Sequence, residues 1–157
     1  MRRGSRPQAD TTAIDAAAQK DAEDEAAALL AEFESSTDEA RQIEIVYQLA
    51  MNRAPPARAS LDRIYHRTPN PQLKIEIVQS LSFIESEDFE PSLTLLAEAI
   101  APEQPAELRQ AAIGTLRDLN HPKTLRVWRT VLADADPEIR EAAQQAVEYY
   151  AIFDNGK

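Results

Sequence analysis

Two histidines, His66 and His121, are the side chains of this sequence best suited to acid–base chemistry near neutral pH. Neither has a Ser, Asp or Glu at a spacing that indicates a catalytic triad or a general-base pair. The sequence contains no cysteine, which excludes thiolate nucleophiles, thiolate metal ligands and disulfides. Its three glycines, at positions 4, 114 and 156, are too far apart to form a phosphate-binding loop. We therefore expect no catalytic residues and no cofactor.

A cluster of acidic residues around one predicted turn is the best candidate for binding a metal cation. Its members are Glu85, Glu87, Asp88 and Glu90. Calcium-binding loops need their ligands in a defined register with a glycine at the bend, and this turn contains no glycine. We expect these carboxylates to be solvated side chains rather than metal ligands.

A basic stretch is the candidate for binding an anion, and it consists of Arg53, Arg58, Arg63, Arg67 and Lys74. Arg63 and Arg67 are four residues apart, so on a helix they share a face that could bind an anionic ligand or nucleic acid. The alternative, which we favour, is that the stretch neutralises the acidic segment 21–50, where nine acidic residues accompany only Arg41. The net charge of −10 also argues against a partner with a phosphate backbone.

The elements that position these side chains are predicted by the prolines. Six of them are separated by segments of helix length: Pro56, Pro71, Pro91, Pro105, Pro122 and Pro137. Proline is tolerated in the first turn of a helix, where its missing N–H has no intrahelical partner. The segments between the prolines are rich in Ala, Leu and Glu, and no alternating β-branched run indicates a strand. The 157 residues therefore predict a single all-α domain.

The sequence also repeats internally at an interval of 31–35 residues. QIEIVYQLA (42–50) aligns with KIEIVQSLS (74–82), and ELRQAAIGTLRDL (107–119) aligns with EIREAAQQAVEYY (138–150). Leucines recur at a shift of 32 in the segments between these, at Leu29, Leu61, Leu93 and Leu125. A repeat of this length that contains two helices is typical of an α-solenoid.

These repeats predict four helical hairpins. The first helices are expected at about residues 21–34, 57–67, 91–101 and 122–133. The second helices are expected at about residues 38–51, 71–85, 105–119 and 137–151. The repeat domain is predicted to span 21–153, with a disordered or linker segment at 1–20 and a tail at 154–157.

The segment DPEIREAAQQAV (136–147) resembles the second helix of a HEAT repeat, of the short bacterial HEAT-like kind named after phycobilisome lyases. ELRQAAIGTL (107–116) shares the resemblance, and QLKIEIVQSL (72–81) shares it more weakly. The resemblance implies an α-solenoid with an armadillo-like superhelix, in which the second helices line a concave surface. It also implies an acidic residue six positions before a basic one, as in Asp134 with Arg140 and approximately in Glu103 with Arg109.

The second helices divide into a core face and other faces. Numbered from Leu108 as zero, positions 0, 4, 7, 8 and 11 share the face that should form the core. Positions 2, 5 and 6 of the first three repeats hold mostly apolar residues. On the implied concave surface we expect a partner-binding strip with a polar rim: Ile43, Val46, Tyr47, Ile75, Val78, Gln79, Gln110, Ile113 and Arg117. The alternative for the residues at position 5 (Val46, Val78 and Ile113) is packing between neighbouring repeats.

Two single residues leave alternatives open. Trp128 either recognises a partner or belongs to the core, and we favour the core because it shares a column with Ile64 and Leu96. Gly114, in the middle of a predicted helix, costs about 1 kcal/mol relative to Ala. Either the close approach of another backbone or of a bound segment accounts for it, or the array simply tolerates it.

Aromatic residues cluster at the end of the last predicted helix, at Tyr149, Tyr150 and Phe153. They form either a cap on the repeat array or a sticky end that pairs with a second copy of the chain. We expect a non-catalytic scaffold that binds a protein or peptide; the alternative is a structural spacer or self-assembly module. A binder of an anionic ligand or nucleic acid is the weaker alternative. No apolar run has the length of a signal peptide or a membrane span, so we expect a soluble cytoplasmic protein.

Overall fold

All regular structure is helical in residues 9–83 and 90–154, which are the residues that the computed structural model describes. They form eight α-helices and two short 3₁₀ helices, in this order: α1 Ala9–Ser35, α2 Glu39–Met51, α3 Pro55–Arg67, α4 Pro71–Ser80, a 3₁₀ turn Leu81–Phe83, α5 Glu90–Ile100, α6 Ala106–Leu119, a 3₁₀ turn Pro122–Thr124, α7 Leu125–Arg129 and α8 Pro137–Asp154. The predicted all-α class is confirmed for these residues. None of these helices has both the length and the apolarity needed to cross a bilayer.

Helix starts coincide with the prolines, as predicted. Each of the six lies in the first turn of a helix or at its N-cap: Pro56, Pro71, Pro91, Pro105, Pro122 and Pro137. Polar side chains complete the starts of α2 and α4 by accepting hydrogen bonds from free backbone N–H groups. The carboxylate of Asp38 accepts from the N–H of Ala40 at 3.0 Å, and Asn70 Oδ1 accepts from the N–H of Gln72 at 2.9 Å.

The first helix is longer than predicted. The sequence predicts a start near residue 21, after a linker at 1–20, whereas α1 begins at Ala9. Residues 9–35 contain neither Gly nor Pro, and alanine, the best helix former, recurs throughout. The side chains from Thr12 to Asp21 are all exposed, so intrinsic helix propensity rather than packing favours helix in this part. Residues 1–8 of the expected linker, and residues 155–157 of the expected tail, lie outside the described residues.

The helix predicted at 122–133 is interrupted. A 3₁₀ turn precedes the five residues of α7, and irregular turns follow them. In those turns the N–H of Val131 donates to the carbonyl of Trp128, and the N–H of Asp134 donates to that of Val131, both at 3.2 Å. Hydrogen bonds to the third preceding residue tighten the chain beyond the α-helical radius. The same tightening ends α4 at Ser80, earlier than the predicted residue 85.

The chain divides into two compact units, Met1–Leu61 and Asp62–Lys157, and the division falls within α3. In the first unit α1 packs against α2, and the buried residues of the pair include Ala26, Leu29, Ile45, Val46 and Leu49. Near the connecting turn, Arg41 donates to both carboxylate oxygens of Glu32, at 2.6 and 2.9 Å. At the far end, Asn52 Nδ2 donates to the carbonyl of Ala22 at 2.9 Å. Side-chain hydrogen bonds therefore connect α1 with both ends of α2.

In the second unit the helices pack in an ordered sequence of neighbours. We call α2, α4, α6 and α8 the second helices, because each is the second helix of a predicted hairpin. Within this unit α4 contacts α6, and α6 contacts α8. The helix α5 contacts α6 and α7, and α7 contacts α8. Each second helix of the unit therefore has another second helix as a neighbour.

Most of the predicted core positions are buried, and the remaining described ones are half-buried: Leu30, Phe33, Leu119, Leu125, Leu132, Ala146 and Val147. Buried examples in the second helices are Leu73, Ile77, Leu81, Leu108, Ala112, Leu116, Ile139 and Ala143. Leu29, Leu61 and Leu93 of the leucine column are buried and Leu125 is half-buried. Trp128 is only 2% exposed, so it belongs to the core, as we favoured. The predicted core position 84 lies outside the described residues.

Candidate protein-binding faces of the second helices

The three residues at position 5 of the second helices do not provide surface for a partner. Val46 and Val78 are 0% exposed and Ile113 is 2% exposed. In the second unit, Thr115 Oγ1 on α6 lies 3.0 Å from the carbonyl oxygen of Val78 on α4, to which it donates. This flank of α4 is therefore covered by α6. The partner-binding role predicted for these three residues is corrected to the alternative, internal packing.

On α2 the other predicted residues are part of an exposed apolar row. Ile43 is half-buried and Tyr47 is 43% exposed. Met51, which sequence reasoning did not single out, follows at the same four-residue spacing and is 72% exposed. Residues four apart lie on one helix face, so the three side chains are neighbours on the surface. We call Ile43, Tyr47 and Met51 the α2 row.

The helix α4 carries an equivalent row in the second unit. Ile75 is half-buried, Gln79 is exposed, and Phe83 is 62% exposed in the 3₁₀ turn that continues the helix. These residues have the four-residue spacing of the α2 row. We call Ile75, Gln79 and Phe83 the α4 row.

The corresponding face of α6 is polar. Gln110 and Arg117, both predicted site residues, are exposed. Gly114 lies between them and is exposed as well, and a Cβ added there would meet no atom within 4 Å. No described part of the chain approaches this glycine closely. Of the two explanations for Gly114, close approach within the described structure is therefore excluded.

Large exposed apolar residues recur at one register of the second helices. Counted from Leu108 and its equivalents, position 10 is occupied by Met51, Phe83, Asp118 and Tyr149. The three apolar residues are 72%, 62% and 48% exposed. Among the described residues, seven large apolar side chains are exposed, and only Ile14 lies away from the second helices and the turn that continues α4. The column at position 10 was the signal in the sequence that could have identified Met51 and Phe83.

The polar pair implied by the HEAT resemblance is present, with different partners. Arg140 Nη1 donates to the backbone carbonyl of Asp134 at 2.7 Å, not to its carboxylate. That carboxylate is bound by Arg109 Nη2 of α6 at 2.5 Å. Arg109 also donates from Nε to the carbonyl of Ile100 at 2.8 Å, so its partners in the structure are Asp134 and Ile100. The hydrogen bond from Arg109 holds the pKa of Asp134 below its ordinary value, and the N–H of Asp136 acts in the same direction against the effect of burial.

The same six-residue contact occurs in the first unit. Gln42 Nε2 donates to the carbonyl of Ser36 at 2.8 Å, and 42 and 140 are equivalent positions in their repeats. In both repeats a long polar side chain at the start of a second helix donates to the connection that precedes that helix. The contact is therefore a recurring feature of these connections.

The two histidines have different surroundings. The ring nitrogens of His66 face two acceptors: Nδ1 lies 2.8 Å from the carbonyl of Asp62, and Nε2 lies 2.6 Å from Glu98 Oε2. The hydrogen bond to Glu98 raises the pKa of His66, against a smaller opposing effect of desolvation. His121 Nδ1 instead accepts from the N–H of Lys123 at 3.1 Å, as a helix cap does.

Several of the candidate ion-binding residues interact with other residues of the chain. Among the described residues, no three His, Asp or Glu side chains are grouped to hold a metal ion. Glu90 lies 2.7 Å from Arg126, whereas positions 85, 87 and 88 lie outside the described residues. In the basic stretch, Arg58 is half-buried, and both Arg58 and Arg63 interact with other residues of the chain.

The aromatic residues at the end of α8 separate into buried and exposed ones. Tyr150 is 9% exposed, and its hydroxyl lies 3.2 Å from Asn120 Oδ1, to which it donates. Tyr149 and Phe153 stack edge to face, with ring centres 5.2 Å apart, and are 48% and 64% exposed. Ile152 beside them is 73% exposed. Tyr150 belongs to the core, whereas the other three form an exposed apolar cluster.

Similarity to known proteins does not indicate what these faces bind. No protein-family model, curated protein or solved structure matches the chain.

Proposed function

We propose that the chain is a non-catalytic scaffold that binds a protein or peptide on the exposed faces of its second helices. The observation that carries the proposal is the recurrence of large exposed apolar side chains at one register, at Met51, Phe83 and Tyr149. On α2 and at the end of α8 these side chains have apolar neighbours on the same helix, Tyr47 and Phe153, and contiguous apolar surface of this kind generally marks an interaction site. The predicted site residues Ile43, Tyr47, Ile75 and Gln79 extend the same faces.

We also propose that the hairpins are HEAT-like repeats of an α-solenoid with an armadillo-like superhelix. Three features support this assignment: the 32-residue recurrence, the ordered contacts of α4 with α6 and of α6 with α8, and the equivalent contacts of Gln42 and Arg140. Stacked repeats of this kind present one helix of each pair on an extended binding surface.

Burial of apolar surface would provide most of the affinity. Complete burial of a Met or Phe side chain contributes about 1.5–3 kcal/mol, so the exposed ends of the α2 and α4 rows are the expected anchors. Gln79, Gln110 and Arg117 are exposed polar residues that would fix the position of a bound segment by hydrogen bonds. Their contribution to specificity would exceed their contribution to affinity.

The proposal is tested with peptides selected from a random display library on the wild-type chain. We expect Ile43→Asp combined with Ile75→Asp to weaken their binding at least about tenfold, because a charge would have to be buried in the interface. Circular dichroism should show that helical content and Tm are nearly unchanged. The matched control is Ile14→Asp, which places the same charge at an exposed isoleucine away from the second helices.

Unfolding of the double variant would show that Ile43 and Ile75 serve mainly in packing. Met51→Asp with Phe83→Asp then replaces it, since both side chains are more than half exposed. Selected peptides that bind all of these variants as tightly as the wild type would contradict the proposed function.

Self-assembly is the second candidate function, and the exposed cluster of Tyr149, Ile152 and Phe153 favours it. A second copy of the chain would cover this surface. Light scattering of the wild type beside Tyr149→Ser with Phe153→Ser tests this candidate. A wild-type mass above that of the monomer, lowered by the two substitutions, is the expected result; a monomeric wild type contradicts self-assembly.

A further inference from the structure

We propose that the hairpin of α1 and α2 binds a cationic amphipathic helix along the α2 row. The inference rests on the proposed function, because it names the chemistry of the partner for one second-helix face. The row advances by four residues at each step, so it extends over about 12 Å of the helix surface. Exposure increases along it, from the half-buried Ile43 to Tyr47 at 43% and Met51 at 72%. This length of apolar surface fits about two turns of a partner helix.

The charge of the hairpin selects the charge of the partner. Nine acidic residues lie between residues 21 and 50, and Arg41 is the only basic one. Arg41 is held within the hairpin, with Nε 2.6 Å from Glu32 Oε1 and Nη1 2.8 Å from Glu44 Oε2. The hydrogen bond from Arg41 also lowers the pKa of Glu32, which keeps that carboxylate ionised. The excess of carboxylates gives this surface a negative field that attracts cationic partners.

Negative charge is present at both ends of the row. Glu39 precedes Ile43 by four residues, so it begins the same face of α2. At the other end, Glu25 Oε2 accepts from Asn52 Nδ2 at 3.0 Å, next to Met51 in the sequence. The last turn of α2 contains no basic residue, so its negative dipole end is not offset within the helix. The nearest following cation, Arg53, interacts with other residues of the chain.

The secondary structure of the partner follows from the hydrogen-bonding and apolar groups available on α2. A partner strand binds by adding to the free edge of a strand, and the described residues contain no strand. A proline-rich segment binds in a groove lined by aromatic residues, and Tyr47 is the one aromatic residue of the α2 row. A helix satisfies its own backbone groups and binds through an apolar face, which matches the row. A nucleic acid would be repelled by the acidic surface.

The probe for this test is a fluorescently labelled leucine–lysine peptide that forms an amphipathic helix. The control peptide has the same composition with its leucines spread around the helix. By fluorescence anisotropy on the full chain, we expect the amphipathic peptide to bind about tenfold more tightly than the control. We expect Met51→Gln to weaken its binding about tenfold through lost apolar contact. Glu39→Gln should weaken the binding of the amphipathic peptide about threefold at low salt. Added salt should weaken the binding of this peptide to the wild type, because it screens the charges.

Two variants serve as matched controls. Ile14→Gln removes an apolar side chain that is 63% exposed on the same hairpin. Glu107→Gln removes a first-turn carboxylate from α6. Neither should change the affinity by more than about twofold, and circular dichroism should show that every variant keeps its helical content.

Equal binding of the two peptides would overturn the proposal, as would equal weakening by Met51→Gln and Ile14→Gln. Either result would mean a general attraction to an acidic protein. The display selection separates this failure from that of the proposed function. Selected peptides that depend on Ile43 but are neutral or acidic would refute the cationic partner and support the scaffold. If no selected peptide depends on any second-helix residue, the proposed function itself fails.

Discussion

Arg109 of α6 binds the carboxylate of Asp134, which lies in the connection before α8. Arg109 Nη2 is 2.5 Å from Asp134 Oδ2, and the two side chains are only 9% and 3% exposed. The Asp134 carboxylate also accepts the N–H of Asp136 at 2.9 Å, and the Asp134 carbonyl accepts from Arg140. One acidic residue therefore links α6, its own connection and the start of α8.

Replacement of Arg109 by Met should be strongly destabilising. The substitution leaves a buried carboxylate without its cation, and breaking a buried ion pair in this way costs about 3–5 kcal/mol. The free energy of unfolding, measured in denaturant, provides the test. Arg117→Met is the control on the same helix, because Arg117 is exposed and a surface substitution changes stability by about 0.5 kcal/mol or less. A loss below about 1 kcal/mol for Arg109→Met would show that the pair contributes little.

Asp134 should make the stability of the protein sensitive to acid. The hydrogen bond from Arg109 lowers its pKa below the ordinary 3.8, so the folded state favours the ionised form. The resulting stabilisation is present above that ordinary value and is lost as the pH falls through the lower folded pKa. We expect Asp134→Asn to be less stable than wild type at neutral pH, with the difference shrinking toward pH 2. Urea unfolding across this range measures it; a constant difference would contradict the assignment.

Glu98 should control the titration of His66. Both ring nitrogens of His66 face acceptor oxygens, so the doubly protonated imidazolium fits the geometry best. The raised pKa means that the stabilisation is fully present below the ordinary 6.5 and is lost as the pH rises through the folded pKa. Both side chains are 45% exposed, so solvent screening limits the contribution to about 1 kcal/mol or less.

Nuclear magnetic resonance of the imidazole protons measures this effect. Glu98→Gln should lower the pKa of His66 toward 6.5. Glu103→Gln, which removes an exposed carboxylate from the connection that follows α5, is the matched control and should change it little. An equal decrease in both variants would indicate a general effect of charge instead of the contact with Glu98.

Gly114→Ala should stabilise the protein. A glycine in the middle of a helix costs about 1 kcal/mol relative to alanine, and the added Cβ would meet no atom within 4 Å. The expected result is a gain of about 1 kcal/mol in the free energy of unfolding. Ala111→Gly, on the same helix, should have the opposite sign. A destabilising Gly114→Ala would contradict the open space that the structure shows around this position.

The helix starts and the core were predictable because their signals are local. A proline in the first turn, or a leucine that recurs every 32 residues, indicates its role without knowledge of the neighbouring helix. Trp128 is predicted to belong to the core in the same way, because it aligns with Ile64 and Leu96 in the repeats. Two helix limits were less predictable. The start of α1 depends on an alanine-rich segment whose described side chains are exposed, and α7 ends where hydrogen bonds switch to the third preceding residue.

The candidate site was only partly predictable, because exposure depends on the neighbouring helices. The sequence allows two interpretations of the residues at position 5, groove and packing, and contacts such as that of Thr115 with Val78 favour packing. Met51 is the last residue of α2, and Phe83 lies in a 3₁₀ turn. Their exposed register is recognised only when the ends of the helices are known. The α2 and α4 rows therefore combine predicted residues with residues that only the coordinates reveal.

The hydrogen bonds of Gln42 to Ser36 and of Arg140 to Asp134 limit changes in the length of the connections before α2 and α8. Each side chain reaches back to a carbonyl at a fixed separation, so one inserted residue would rotate the following helix by about 100° relative to its anchor. Point substitutions between 36 and 42, or between 134 and 140, leave that spacing intact. Among homologous chains, insertions and deletions should therefore be rare in segments 36–42 and 134–140. They should be more frequent in connections without a contact of this kind.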